Sequence, residues 1–159
     1  MVLLTIPKHT TSLIQPPDVY GFRIWKQFVR RFSDQVLIDD LDVNLHQRNS
    51  IIKLQSLVHN QFSSPRFVDM FKYAWFKCGY VENRPPRFKN PVEFCFANNG
   101  SECHYCDSFN FIVCGWCQKS LCLLIVILIT ITVIIILHKM LPKICKIGSM
   151  LSEISYHKS

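Results

Sequence analysis

Hydrophobic and polar positions divide this chain into stretches of distinct period. Val2 to Ile6 is a short apolar run cut by Pro7 and reads as a buried strand. A Thr-, Ser- and Pro-rich loop runs to Pro17. From Tyr20 to Phe32 the period becomes helical, with Phe22, Trp25, Phe28, Val29 and Phe32 on one face and Arg23, Lys26, Arg30 and Arg31 on the other. Ser33 to Asn44 is an acidic connection. A second helix is predicted from near Ser50 to Phe62, burying Ile51, Leu54, Leu57 and Val58. Ser64-Pro65 has the form of a hydroxyl cap before a first-turn proline. The third helix carries Phe67, Phe71, Ala74, Trp75 and Cys78, and Gly79 is its stop. Pro85, Pro86 and Pro91 make the segment from Glu82 to Pro91 a linker. The corner at Ser63-Ser64-Pro65 reads as a helical hairpin burying aromatics, with a DNA-reading helix-turn-helix as the alternative.

Charge changes the picture only mildly. The 159 residues carry a formal net charge of +7, which suits an anionic partner, either nucleic acid or a membrane surface. Basic residues are spread along the chain, so charge alone marks no DNA-binding patch. No secretory signal is expected at the start of these residues, because Lys8 follows the short run Val2 to Ile6 at once.

Cysteine usage is more specific. Five of the 8 cysteines crowd between Cys103 and Cys122, at the close spacing of thiolate metal ligands. Cys103 and Cys106 form one C-x-x-C knuckle, and Cys114 and Cys117 another. Four thiolates suit a closed, tetrahedral structural Zn²⁺ site, with Cys95, His104 and Cys122 as spare ligands. Reduced buried thiols, or disulfides in a lumenal setting, are the alternatives. A reduced compartment, cytosol or nucleus, is the simpler reading.

Leu121 to Leu137 contains no charge, and its length sits near the lower limit for spanning a bilayer. A lone segment in lipid must be helical. Lys139, Lys143 and Lys146 behind it would place the C-terminus in the cytosol. The Asn99-Gly100-Ser101 sequon, the only one, would then be open to glycosylation. The chain is therefore expected to carry a single transmembrane-like helix with the bilayer as a partner, with a buried core strand or a frame-shifted segment of no selected role as the alternatives. That orientation conflicts with a reduced zinc site.

One block carries a family resemblance. Pro7-Lys8-His9-Thr10-Thr11, then Gln15-Pro16-Pro17-Asp18, then a basic amphipathic helix, resembles the segment holding the last catalytic acid of DDE transposases of the mariner, pogo and Tigger kind. The resemblance implies that Asp18 is the third acid of a two-metal Mg²⁺ site for phosphoryl transfer. It also implies that Arg23, Lys26, Arg30 and Arg31 face DNA. Pro17 departs from the pattern, which has Leu or Met there, and restricts the backbone before the ligand. The family's first two acids precede this block, and nothing in the chain replaces them. The resemblance thus implies a truncated, catalytically inactive transposase relative, nuclear by descent, with DNA and a complete transposase copy as partners. A single-pass membrane protein and a small zinc-stabilised interaction module are the alternatives.

The expected fold is an α-rich α+β fragment. Residues 1–32 would be the terminal strand and helix of a ribonuclease-H-like fold, and 45–80 a helical extension. Residues 81–94 would be the Pro-rich linker and 95–120 the Cys-rich zinc-knuckle-like segment. Residues 121–137 would form the hydrophobic helix and 138–159 a basic tail.

Overall fold

The computed structural model describes residues 10–97 and 102–128. Their architecture is helix-rich with one small two-stranded sheet. A short helix α1 (Thr11–Ile14) leads into a wide π turn at Pro17–Gly21, which runs directly into α2 (Phe22–Ile38). The expected loop before Pro17 is therefore partly helical. The expected strand Val2 to Ile6 lies outside the described residues.

Helix α2 is the spine of the core. Ile24, Phe28, Phe32 and Val36 recur every four residues and are all buried. The stripe continues through Ser33 and Asp34, and this is why the helix does not end at Phe32. Phe22, expected inside, is 51% exposed, and Ile24 takes its place. The helix ends when Asp40 adopts the left-handed φ of 47°. The Leu41 N–H then reaches the Val36 carbonyl at 3.1 Å and the Asp40 N–H the Leu37 carbonyl at 3.3 Å, a Schellman closure.

Helix α3 (Arg48–Phe62) buries Leu54, Leu57, Val58 and Phe62, whereas Ile51 is half-exposed. A single 3₁₀ turn at Pro65–Phe67, capped by the Ser64 hydroxyl, leads to α4 (Val68–Lys77). The turn buries Phe67, and helix α4 buries Met70 and Ala74. Phe71 and Trp75, expected inside, lie one position further round the helix and are largely exposed. Gly79 closes α4 with φ 76° through the same Schellman pair of bonds. Helix α3 packs on α2, and α4 on the π turn. The corner between α3 and α4 is thus less a hairpin than a bend around a third element.

That third element is the cysteine-rich segment. Helix α5 (Pro91–Cys95) starts with a full capping box, Asn90 to Glu93, inside the stretch read as linker. β1 (Ile112–Val113) and β2 (Ser120–Leu121) then pair antiparallel, with Ile112 opposite Leu121. Phe28 meets Phe96 at 5.0 Å between ring centroids, and Phe32 meets Phe111 at 4.9 Å. One core therefore runs through helices and cysteine module alike.

Two fold expectations are overturned. Residues 1–32, expected as the terminal strand and helix of a ribonuclease-H-like fold, take a different form where they are described: the helix runs on to Ile38 as the centre of a helical core, and the sheet among the described residues is the β1–β2 hairpin. Nor does the apolar run act as a single membrane helix from Leu121. Among the described residues, no helix is long and apolar enough to cross a membrane. Leu121 is a strand residue, and the helix begins only at 123. Cys122, Ile125 and Val126 are buried in the domain core. Leu123, Val126 and Ile127 face Phe32, Leu54 and Leu57 across a cavity of about 100 Å³. The first half of the run is apolar because it fills this core. Residues 129–137, the tail from 138 and Asn99 lie outside the described residues.

Candidate metal centre and nucleic-acid surface

The two C-x-x-C motifs occupy different parts of the hairpin. Cys114 to Cys117 forms the tip between β1 and β2, where the Gln118 N–H bonds back to the Cys114 carbonyl at 2.9 Å. Gln118 takes the left-handed φ of 62° that this tight turn requires. Cys103 to Ser108 forms a separate turn, closed by the Cys103 N–H on the Ser108 carbonyl at 2.8 Å. The His104 N–H bonds to the Ser120 carbonyl at 2.8 Å, which lays this turn against the end of β2.

Cys122, one residue past β2, thereby enters the first turn. The sulfurs of Cys103, Cys106 and Cys122 all lie within 4.8 Å of one another. Cys106 and Cys122 are 3.5 Å apart. Thiolates on a tetrahedral zinc with ~2.3 Å bonds stand ~3.8 Å apart, so this trio fits the ion. Among the described residues no fourth Cys, His or carboxylate joins the group. Electrostatics set Cys106 and Cys122 apart. Hydrogen bonds from the Ser108 side chain and backbone lower the Cys106 thiol to about 7. Burial raises Cys122 to about 11.

Cys114 and Cys117 stand apart from that group. Cys114 is buried, and its hydrogen bond with Cys117, together with burial, raises its thiol. Burial likewise raises Cys95, with Cys114 close enough to add to the effect. Gln61, 2% exposed, sits between these thiols. The Gly115 N–H donates to Gln61 Oε1 at 2.7 Å, and the Cys95 thiol donates to the same oxygen at 3.9 Å. Gln61 Nε2 donates to Cys114 Sγ at 4.0 Å. Ser64 Oγ donates to the Gly115 carbonyl at 2.8 Å, and the Trp116 indole N–H donates to the Asn60 carbonyl at 2.8 Å. This knuckle is thus clamped onto the α3–α4 corner. At Gly115 a Cβ would come within 2.9 Å of the Phe67 ring, so glycine is needed for the close approach.

Asp18 lies half-buried in the first turn of the Pro17–Gly21 element. It belongs to no group of three potential metal ligands among the described residues. Arg23, Lys26, Arg30 and Arg31 are all exposed on the outer face of α2. His104, a spare ligand by sequence, is exposed and packs edge-on against Tyr105. Sequence reasoning did not single out Gln61, since a glutamine in an amphipathic helix carries no signal of its own. Cys122 had one: it lies just after the polar residues Gln118, Lys119 and Ser120 that turn the hairpin back.

A helix-packed, cysteine-rich module of this kind defines a small scaffold with one thiol group fit for metal. Residues 75–131 match the family model of the Tc5 transposase C-terminal domain. The match begins within α4 and takes in the linker, α5 and the whole cysteine hairpin. This segment is transposase-related. No curated protein and no solved structure matches the chain.

Proposed function

We propose that this is a transposase-derived DNA-binding protein whose cysteine hairpin is held by a zinc that takes Cys103, Cys106 and Cys122 as three of its four tetrahedral ligands. The match of residues 75–131 to a transposase C-terminal domain carries the reading. The exposed cations of α2 supply phosphate contacts, which fix a protein on DNA without reading sequence. Descent from DDE transposases of the mariner, pogo and Tigger kind rests on the Thr10-Thr11, Gln15-Pro16 and Asp18 block. Under this reading the protein works in the nucleus, and the 159 residues supply one acid of a two-metal site, Asp18, which by itself cannot catalyse phosphoryl transfer.

Fluorescence anisotropy with duplex DNA across a salt series tests the proposal. Binding should weaken linearly in log–log form, and neutralising two of Arg23, Lys26 and Arg30 should reduce the slope by about 1.8. Zinc-dependent folding without affinity for DNA at low salt would leave only an interaction module. Mg²⁺-dependent cleavage lost in Asp18→Ala would overturn the non-catalytic part.

A further inference from the structure

The linker folds back over α4 instead of leading away from it. Phe88 packs against Tyr73 at 5.6 Å and Tyr20 at 6.4 Å, and those two rings meet at 5.0 Å. Between linker, α4 and the π turn lies an open cavity of about 480 Å³, lined by Tyr20, Tyr73, Phe88, Arg84, Arg87 and Glu93 among others. That volume is within the ~300–1,000 Å³ of small-ligand sites.

Its walls combine two chemistries. Three aromatic rings come from three separate elements and converge on the cavity. Around them stand cations: the Arg84 guanidinium and the Lys77 ammonium each lie 5.7 Å from the Tyr73 ring centroid. Arg84 and Arg87 are exposed, and Arg23 lies within electrostatic range of Tyr20. Glu93 is the opposing carboxylate, outnumbered by these four cations. Aromatic rings beside a cationic track are what an unpaired base and its phosphates require, since a base stacks on the ring while Arg and Lys follow the backbone. A duplex keeps its base faces stacked inside and cannot lay one on these rings.

We propose that this cavity holds an unpaired nucleotide of single-stranded DNA, its base against Tyr73 and Phe88 and its flanking phosphates on Arg84 and Arg87. The proposal rests on the DNA-binding reading above and gives the protein a second, strand-selective contact. Neither residues 84–88 nor Tyr73 belongs to the cysteine group or to the cationic face of α2.

The test compares a labelled oligothymidine with a labelled hairpin duplex, both titrated by fluorescence anisotropy against the full chain. In the Arg84→Gln/Arg87→Gln pair, the salt slope for the single strand should fall by about 1.4. Tyr73→Leu should weaken the single strand by about fivefold to a hundredfold. Duplex affinity should change by less than about twofold in both variants, as neither touches the α2 cations. Should Tyr73→Leu not fold, the exposed arginine pair carries the test alone. Unchanged single-strand affinity in the arginine pair overturns the proposal, and so does an equal loss for both DNA forms. Wild-type protein that binds duplex but not single strand sinks this inference and leaves the DNA-binding reading standing. Wild-type protein that binds neither sinks both.

Discussion

The two C-x-x-C motifs have the same spacing, yet the fold gives them opposite environments. The turn at Cys103 and Cys106 stands at the module's edge, with a partly exposed thiol lowered by Ser108 and a third sulfur arriving from Cys122. The tip at Cys114 and Cys117 is driven into the α3–α4 corner, where Gln61, Ser64 and Asn60 bond to its residues. One motif shares in a cluster of three close sulfurs and the other is bonded into a helix corner. Spacing therefore specifies a tight turn with two sulfurs, while burial decides what those sulfurs can do.

Ligand removal should break the comparison most strongly. Cys106→Ser should abolish stoichiometric zinc, measured by plasma mass spectrometry, with an affinity loss of at least about a hundredfold. Cys117→Ser should keep the metal; loss of zinc in that variant would make the two motifs one site after all. The clasp is tested next. Gln61→Ala leaves the Gly115 N–H without its acceptor and opens a cavity, so denaturant unfolding should show a loss of about 2–4 kcal/mol. Gly115→Ala forces a Cβ onto the Phe67 ring and should cost about 1–3 kcal/mol. Unaltered stability in both variants would mean that the tip is not held by the corner.

A smaller effect sharpens the electrostatic side. The folded Cys106 thiol, lowered from 9.0 to about 7, contributes stability that is present above its unfolded value and lost as pH falls through about 7. Cys122 is shifted the other way, so its contribution is present below 9.0 and is lost as pH rises through about 11. In EDTA-treated protein, alkylation read by mass spectrometry should therefore label Cys106 with a midpoint near pH 7. Cys95 and Cys114 should stay unlabelled at that pH. Equal labelling of all these thiols would erase the distinction.

Much of the helical framework was legible in the chain. The stop at Gly79 was readable because glycine reaches φ 76° without strain, whereas the identical closure at Asp40 carried no such sign. Helix α2 outran its expected end because Val36 extends the stripe beyond two polar residues. The α4 stripe was misplaced by one position: Phe71 and Trp75 are more hydrophobic-looking than Met70, yet the core lies on Met70's side. The capping box at Asn90-Pro91 was present in the letters and was obscured by the surrounding prolines.

The sequence by itself determined helices α2, α3 and α4 in outline, the tight cysteine turns and the cationic face of α2. These depend on local period, caps and spacing within a few residues. Only the tertiary structure decided that Cys122 joins Cys103 and Cys106, that Gln61 clasps the second turn, and that the linker brings Phe88 onto Tyr20 and Tyr73. It also decided that the apolar run starting at Leu121 opens by filling a core. Such pairings join residues far apart in the chain. They are set by which apolar faces bury one another, and no local pattern encodes that choice.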